Sequence, residues 1–378
     1  MPTPHRRKTA AIVSRLLGWY PQNARDLPWR RTNDPYGVYV SEIMLQQTQV
    51  QTVVPYWQRW MRALPTLEAV AAATPDRIHK LWEGLGYYTR VRNLQRAARI
   101  IVKAHDGEVP RKFETLLDLP GIGRYTAGAI CSIAFDQPTP ILDGNVIRVL
   151  TRVFGIAGNV REVSIRKQLW NVAEELVGSA ARTKFRRPCS HLNQALMELG
   201  AVICTPRAPR CETCPLKEVC VAVRQDRVSE LPDLGRRPAV TRRRFVAFVV
   251  GQRGRFLVRQ RPHGVVNAHL WEFPNVEVGT KHPPISDVAR SLLGSRVRIL
   301  GSLGRIQHSI TRYRITLEGF RVAPVSSPAV GVGVWLAPRR LSQLAFASAH
   351  KKLLDRVQLP NQQLRSSNLS IVRLSSSA

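Results

Sequence analysis

Long apolar runs are missing from this 378-residue chain. None approaches the ~18–20 residues that span a bilayer, so no membrane-spanning helix is expected. The first stretch, MPTPHRRKTAAIVSRLLGWY, also lacks a secretory-signal core, because Arg15 divides its apolar residues. Ile12, Leu16, Trp19 and Tyr20 recur there at the spacing of one helix face. Cysteine is scarce: six in all, four of them between Cys204 and Cys220. That is too few for a disulfide scaffold and points to metal ligation in a reducing, cytoplasmic compartment. Acidic residues are scarce too, 26 against 57 Lys and Arg, which leaves a formal net charge of +31. The cations recur from Arg6 to Arg373, so the excess is not one appended tail. A heavily solvated surface accounts for that number. So does a phosphate-rich partner, whose counterions are released on binding. No solenoid-type repeat is present.

Up to about residue 220 the apolar periodicity is helical, punctuated by Pro28, Pro65, Gly107, Pro110, Pro120 and Pro138. Residues 221–242 have little periodicity and read as a linker. Beyond it, RFVAFVVGQRGRFLVRQRP reads as two strands around a tight turn, and RYRITLEGFRV as another strand. RRLSQLAFASAHKKLLDRV carries a closing helix. The Ser-rich residues 358–378 are expected to lack fixed structure. The expected architecture is an all-α unit over 1–220, a connector, and a smaller α+β unit over 243–357.

Three features carry chemistry. In LPGIGRYTAGAI, Pro120 ends one amphipathic helix, and Gly121 and Gly123 allow a tight turn into the next. Such a turn leaves bare N–H groups that suit a phosphate, and it equally describes a ligand-free helical corner. CTPRAPRCETCPLKEVC sets Cys204, Cys211, Cys214 and Cys220 at C-x6-C-x2-C-x5-C. That spacing suits a [4Fe–4S] cluster or structural zinc, with Arg207 and Arg210 as cations on the loop. Glu42 beside Ile43, Met44 and Leu45 has an environment that raises a carboxyl pKa, while Asp143 opens a helix in a polar turn that favours its ionised form. Taken singly, the two also describe a helix-dipole partner and an N-cap.

Leu-Pro-Gly-Ile-Gly followed by a helix resembles the helix–hairpin–helix element of the endonuclease III superfamily of base-excision glycosylases. The cysteine loop resembles that superfamily's iron–sulfur loop, which implies a [4Fe–4S] cluster. DLPWRRTNDPYGVYVSEIMLQQTQV, LWEGLGYYTRVRNL, PILDGNVIRVL and NQALMELGAVIC narrow the resemblance, over residues 20 to 220, to adenine DNA glycosylases of the MutY type. The resemblance implies a DNA duplex with adenine opposite 8-oxoguanine or guanine as partner, and a monomeric enzyme. Breaking an N-glycosidic bond needs a proton donor for the base and negative charge near the developing sugar cation. By the resemblance Glu42 protonates adenine and then activates water, Asp143 stabilises the cation, and Tyr125 and Asn145 assist. Arg25, Leu27, Trp29, Arg30 and Gln194 match positions lining the adenine pocket. Gln47 and Tyr87 match residues that wedge into the duplex, and Gly121 and Gly123 belong to the DNA-holding hairpin. Bifunctional relatives carry a Schiff-base lysine where Tyr125 stands; a phenol forms no imine, which implies base removal without strong strand cleavage.

FLVRQRPHGVVNAHLWEFPNVEV resembles the MutT-like, or Nudix-like, C-terminal domain of these glycosylases. The magnesium-binding Arg-Glu-x-x-Glu-Glu run of Nudix hydrolases has no counterpart in GTKHPPISDVARSLLG, so pyrophosphate hydrolysis is not expected. The resemblance instead implies a module that reads 8-oxoguanine. Many members carry Phe-Ser-His where this chain, aligned on His308, reads Ile310-Thr311-Arg312; His308 and Thr311 are the implied DNA contacts.

Overall fold

The structure, a computed structural model, describes residues 4–236, 239–310, 312–326, 328–329 and 331–358. Thr311 and the expected tail beyond Gln358 lie outside them. The chain forms two compact units, Met1–Ala73 with Arg90–Arg237 and Thr74–Thr89 with Pro238–Ala378. Among the described residues no helix is long and apolar enough to cross a membrane.

Helices α1 (Pro4–Asn23), α2 (Pro35–Leu45), α3 (Val50–Ala63) and α4 (Leu67–Ala72) open the first unit. Next in the chain are α5 (Pro75–Trp82) and α6 (Thr89–Ala104), then α7 (Phe113–Leu117), α8 (Arg124–Ala129) and α9 (Gly144–Phe154). Helices α10 (Val163–Ala180), α11 (Pro188–Val202) and α12 (Val221–Arg224) complete the series before the sheet. Caps set several starts. The Asp34 carboxylate accepts from the N–H groups of Tyr36 and Gly37, with Pro35 at the first helical position of α2. The N-terminal face expected from Ile12 and Leu16 is buried against α9, α10 and α11, around Leu150, Leu176 and Leu196. Between α7 and α8, Gly121 has φ +81°, and a Cβ there would lie 2.7 Å from that of Asn93. A Cβ on Gly123 would meet nothing within 4 Å, so that side of the turn is open. Instead of continuing as a regular helix, α8 widens into a π turn at Ile130–Ala134, where Asn193 Nδ2 donates to Ser132 Oγ (2.8 Å).

Residues 221–236 are not a linker. Ala222 and Leu231 are buried in the same core, and Arg152 Nε donates to the Leu231 carbonyl (2.9 Å). Their apolar residues are irregularly spaced, which hid this packing from periodicity. Helix α5 was read with the helical region, yet it groups with the second unit. There Glu83 accepts from Phe346 N–H (2.8 Å), Lys80 Nζ donates to the Leu344 carbonyl (3.1 Å), and Arg340 pairs with Asp76 (2.9 Å).

The second unit is a mixed sheet. Its strands are β1 (Thr241–Gln252), β2 (Arg255–Gln260), β3 (Trp271–Glu272), β4 (Asn275–Val278), β5 (Val297–Ile310), β6 (Tyr313–Pro324) and β7 (Val334–Leu336). The order is β3-β2-β1-β6-β5, with β4 paired to β1 and β7 to β2; β1 and β6 run parallel. The expected hairpin closes at Arg253-Gly254, both with positive φ. Alternation splits β1 between two cores. Val246, Phe248 and Val250 meet α13 (Ile285–Leu293), while Ala247 and Val249 pack with Leu353 and Leu354 of the last helix, α15 (Ser348–Gln358), which follows α14 (Pro338–Leu341).

Candidate active site

One pocket in the first unit collects residues from five separate stretches. It is lined by Arg25, Leu27, Trp29 and Arg30, by Glu42 on α2, by Tyr125 on α8, by Asp143 and Asn145 at the start of α9, and by Gln194 on α11. All nine residues assigned to the catalytic centre and the base pocket are therefore together.

Glu42 is 4% exposed, and Tyr125 Oη donates to its Oε2 at 2.8 Å. Burial drives its carboxyl from 4.5 up to about 7; the Tyr125 hydroxyl and Arg30 oppose the rise and the Asp143 charge adds to it. Burial, with Glu42 and Asp143 close by, likewise raises the Tyr125 phenol well above its ordinary value, so it stays a neutral donor.

Asp143 caps α9, accepting from Val146 N–H at 2.7 Å and from Asn145 Nδ2 at 3.2 Å. Its surroundings are less polar than its sequence neighbours suggest. Burial raises its pKa as well, opposed by the Val146 and Asn145 donors and by Arg148. Two carboxylates share one pocket, Glu42 buried and Asp143 half-buried, and the one with fewer donors, Glu42, is the one raised to about 7.

Sequence reasoning missed the residues behind this wall. Glu198 has a fully buried side chain that accepts from Arg25 N–H (3.2 Å), Arg25 Nε (2.6 Å) and Nη2 (3.1 Å) and Arg30 Nη2 (2.8 Å). Burial opposes its charge, yet the two guanidiniums hold it below the usual carboxylate range. Arg148 donates to Asn145 Oδ1 (2.7 Å) and to the carbonyls of Gly200 (2.8 Å) and Cys204 (2.7 Å). The available signal was a lone charge inside an apolar helical stretch, in NVIRVL and in QALMELGAV. Gln194 is itself fixed, accepting from Tyr20 Oη (2.9 Å) and donating to Ser190 Oγ (3.1 Å).

The four loop cysteines line one small cavity with Val149, Val153, Leu199, Ile203, Val223 and Val228. Arg152 Nη1 lies 3.4 Å from Cys204 Sγ. Burial, augmented by the neighbouring cysteines, pushes the Cys214 thiol up to about 11. Four cysteines around one cavity form a thiolate donor set of the kind that holds a [4Fe–4S] cluster or zinc. Arg207 and Arg210 are exposed on the same loop, and Arg210 Nη2 is engaged by the Val202 carbonyl (2.6 Å).

Gln47 and Tyr87 are both exposed and both have left-handed backbones, with φ +58° and +47°. Gln47 lies in the first unit and Tyr87 in the second. His308 is half-buried on β5, and its Nδ1 has no hydrogen-bond partner.

Comparison with known proteins converges on the same reading. Residues 40–175 match the HhH-GPD superfamily of base excision DNA repair proteins, 204–220 the iron–sulfur binding domain of endonuclease III, and 245–356 the NUDIX domain. Adenine DNA glycosylase of Mus musculus is 37% identical, the alignment covering 91% of this chain and 77% of that protein. Adenine DNA glycosylase of Homo sapiens is 35% identical, covering 92% and 74%. The chain belongs to the adenine DNA glycosylase family. A solved thermostable thymine-DNA glycosylase also superposes, with TM-score 0.53 and 31% identity, over 59% of this chain and all of that one. Membership accounts for the cluster loop: the iron–sulfur match spans the stretch that carries Cys204, Cys211, Cys214 and Cys220, in keeping with a [4Fe–4S] cofactor.

Proposed function

We propose that this chain is a monofunctional DNA glycosylase that removes adenine opposite 8-oxoguanine or guanine from duplex DNA and acts as a monomer. The observation that carries the reading is Glu42, a buried carboxyl near pKa 7 opposite Asp143 in a pocket walled by Trp29, Leu27 and two arginines. A flipped adenine needs such a cavity. Neutral Glu42 donates its proton to a ring nitrogen of the base as the glycosidic bond breaks. Asp143, ionised and held by Val146 and Asn145, faces the sugar as positive charge develops. The Glu42 carboxylate then takes a proton from the attacking water. The iron–sulfur cluster, when bound, would be held by four thiolates, offset part of their charge and fix the loop that carries Arg207. No lysine lines the pocket, which supports base removal without covalent amine chemistry.

The test uses duplexes carrying A opposite 8-oxoguanine, A opposite G, and T opposite G, each treated with alkali after incubation. Strand breaks confined to the T:G duplex overturn the adenine reading in favour of a mismatch thymine DNA glycosylase. Borohydride trapping of the parent protein as efficient as that of Tyr125→Lys overturns the monofunctional one.

A further inference from the structure

Behind the base pocket, the π turn leaves one backbone carbonyl that the helix itself does not satisfy. In a regular helix the Gln137 N–H would meet the Ile133 carbonyl, but here it donates to Cys131 (3.0 Å). The Asp136 N–H goes to the Ser132 carbonyl (3.0 Å), and Pro138, next in line for a π step, has no N–H. Side chains at the start of α11 serve Ile133 instead. Arg187 Nη2 (2.6 Å) and Ser190 Oγ (3.2 Å) both donate to its oxygen. Ser190 is held there by its own N–H on the Asp136 carboxylate (2.8 Å).

That contact fixes a direction. A carbonyl only accepts, so the single Ser190 hydroxyl hydrogen is committed to Ile133. Ser190 Oγ then accepts from Gln194, one turn along α11, and the Gln194 NH2 group faces it at 3.1 Å. The amide oxygen is left to face Tyr20, whose hydroxyl donates to it at 2.9 Å. All three side chains are buried, and burial raises the Tyr20 phenol above its ordinary value, so it keeps its hydrogen. Turning the amide over would leave the Tyr20 hydrogen without its acceptor and ask Ser190 for a second hydrogen. A buried donor stranded in this way costs the full penalty of an unmade hydrogen bond. Gln194 also lines the base pocket, and Tyr20 and Ser190 leave its amide one hydrogen and one lone pair to offer.

We propose that Tyr20 and Ser190 are positioning residues that determine specificity: by fixing the Gln194 amide, they admit a 6-amino purine and reject a 6-oxo purine. The proposal rests on the adenine reading and supplies the device behind that choice. Adenine presents a donor at C6 and an acceptor at N1. Hypoxanthine has the same outline with both reversed. An amide free to turn over answers either pattern, whereas a fixed one answers the first and strands polar groups against the second.

The test uses Ser190→Ala and Tyr20→Phe in the full chain, with Ser190→Thr as the variant that keeps the hydroxyl. Single-turnover excision at saturating protein is compared on duplexes with adenine or hypoxanthine opposite 8-oxoguanine. The adenine-to-hypoxanthine rate ratio should fall about tenfold in Ser190→Ala and in Tyr20→Phe, the worth of one hydrogen bond. It should stay at the parent value in Ser190→Thr. A purely structural loss lowers both rates together, so an unchanged ratio overturns the proposal, as does an equal fall in Ser190→Thr. Hydrogen exchange of the Gln194 side-chain amide, followed by heteronuclear NMR, reads the fixed orientation without any substrate. Exchange about tenfold faster in Ser190→Ala and Tyr20→Phe than in the parent supports it, and equal exchange overturns it. If the parent cuts neither purine, the adenine reading fails and takes the choice of base with it, while unequal exchange still shows that the amide is held.

Discussion

Replacing Glu42 with Gln should abolish excision and, above neutral pH, stabilise the protein. The folded-state pKa of Glu42 is raised by burial from 4.5 to about 7, so folding favours the proton-bound form. The stability linked to that proton is fully present below about pH 4.5 and is lost as pH rises through 7. At about 1.36 kcal/mol per pH unit, the loss amounts to about 3 kcal/mol by pH 8.5. Gln keeps the shape and a polar partner for Tyr125 but has no proton to lose. Urea unfolding of parent and Glu42→Gln, followed by circular dichroism at pH 5 and 8.5, should show nearly matched stability at pH 5 and a gap of about 3 kcal/mol, in favour of the variant, at pH 8.5. Activity titrates with the same group. The parent's single-turnover rate should fall about tenfold per pH unit above about 7 as the acid is lost. Parallel stability profiles for the two proteins would refute the buried neutral carboxyl, whatever the activity of the variant.

Three further perturbations test the pocket. Tyr125→Phe removes the donor 2.8 Å from Glu42 that favours its charged form. The alkaline limb of the rate profile should move up by about one pH unit, read by single-turnover kinetics. Glu198→Gln unmasks Arg25 and Arg30, and the freed Arg30 charge should move that limb the opposite way. Its stability cost should be about 2 kcal/mol, less than for a fully buried pair because Arg25 remains 38% exposed. Gly200→Ala would place a Cβ 2.7 Å from that of Asn145 and 3.1 Å from its backbone. Urea unfolding should show a cost of about 1–3 kcal/mol, and the excision rate should fall more than DNA affinity does.

The sequence made the pocket legible because its chemistry sits in short, spaced blocks. Glu42 lies in an apolar helical run, Asp143 at a helix start, and the four cysteines in one loop, so each could be assigned before any contact was known. What stayed hidden was long-range. Glu198 reads as a stray charge on an apolar helix until Arg25 and Arg30 fold onto it. Asp143 looked solvated because its neighbours Gly144 and Asn145 are polar, but its burial is set by elements distant in sequence. Residues 221–236 lacked a period because their buried side chains pack as an irregular strap. The α5 segment has a helical period that says nothing about which core it joins.

That placement of α5 has a temporal side. Residues 74–89 leave the ribosome long before the sheet they pack with, and all of Arg90–Arg237 must be made in between. Asp76 and Arg340 are 264 positions apart, so at about 5–20 residues per second the wait is roughly 13–53 s. During that interval Asp76, Lys80 and Glu83 have neither Arg340 nor the backbone of Leu344 and Phe346 to bind. The second unit therefore closes last in synthesis, and its completion is the event that locks a segment born near the beginning of the chain.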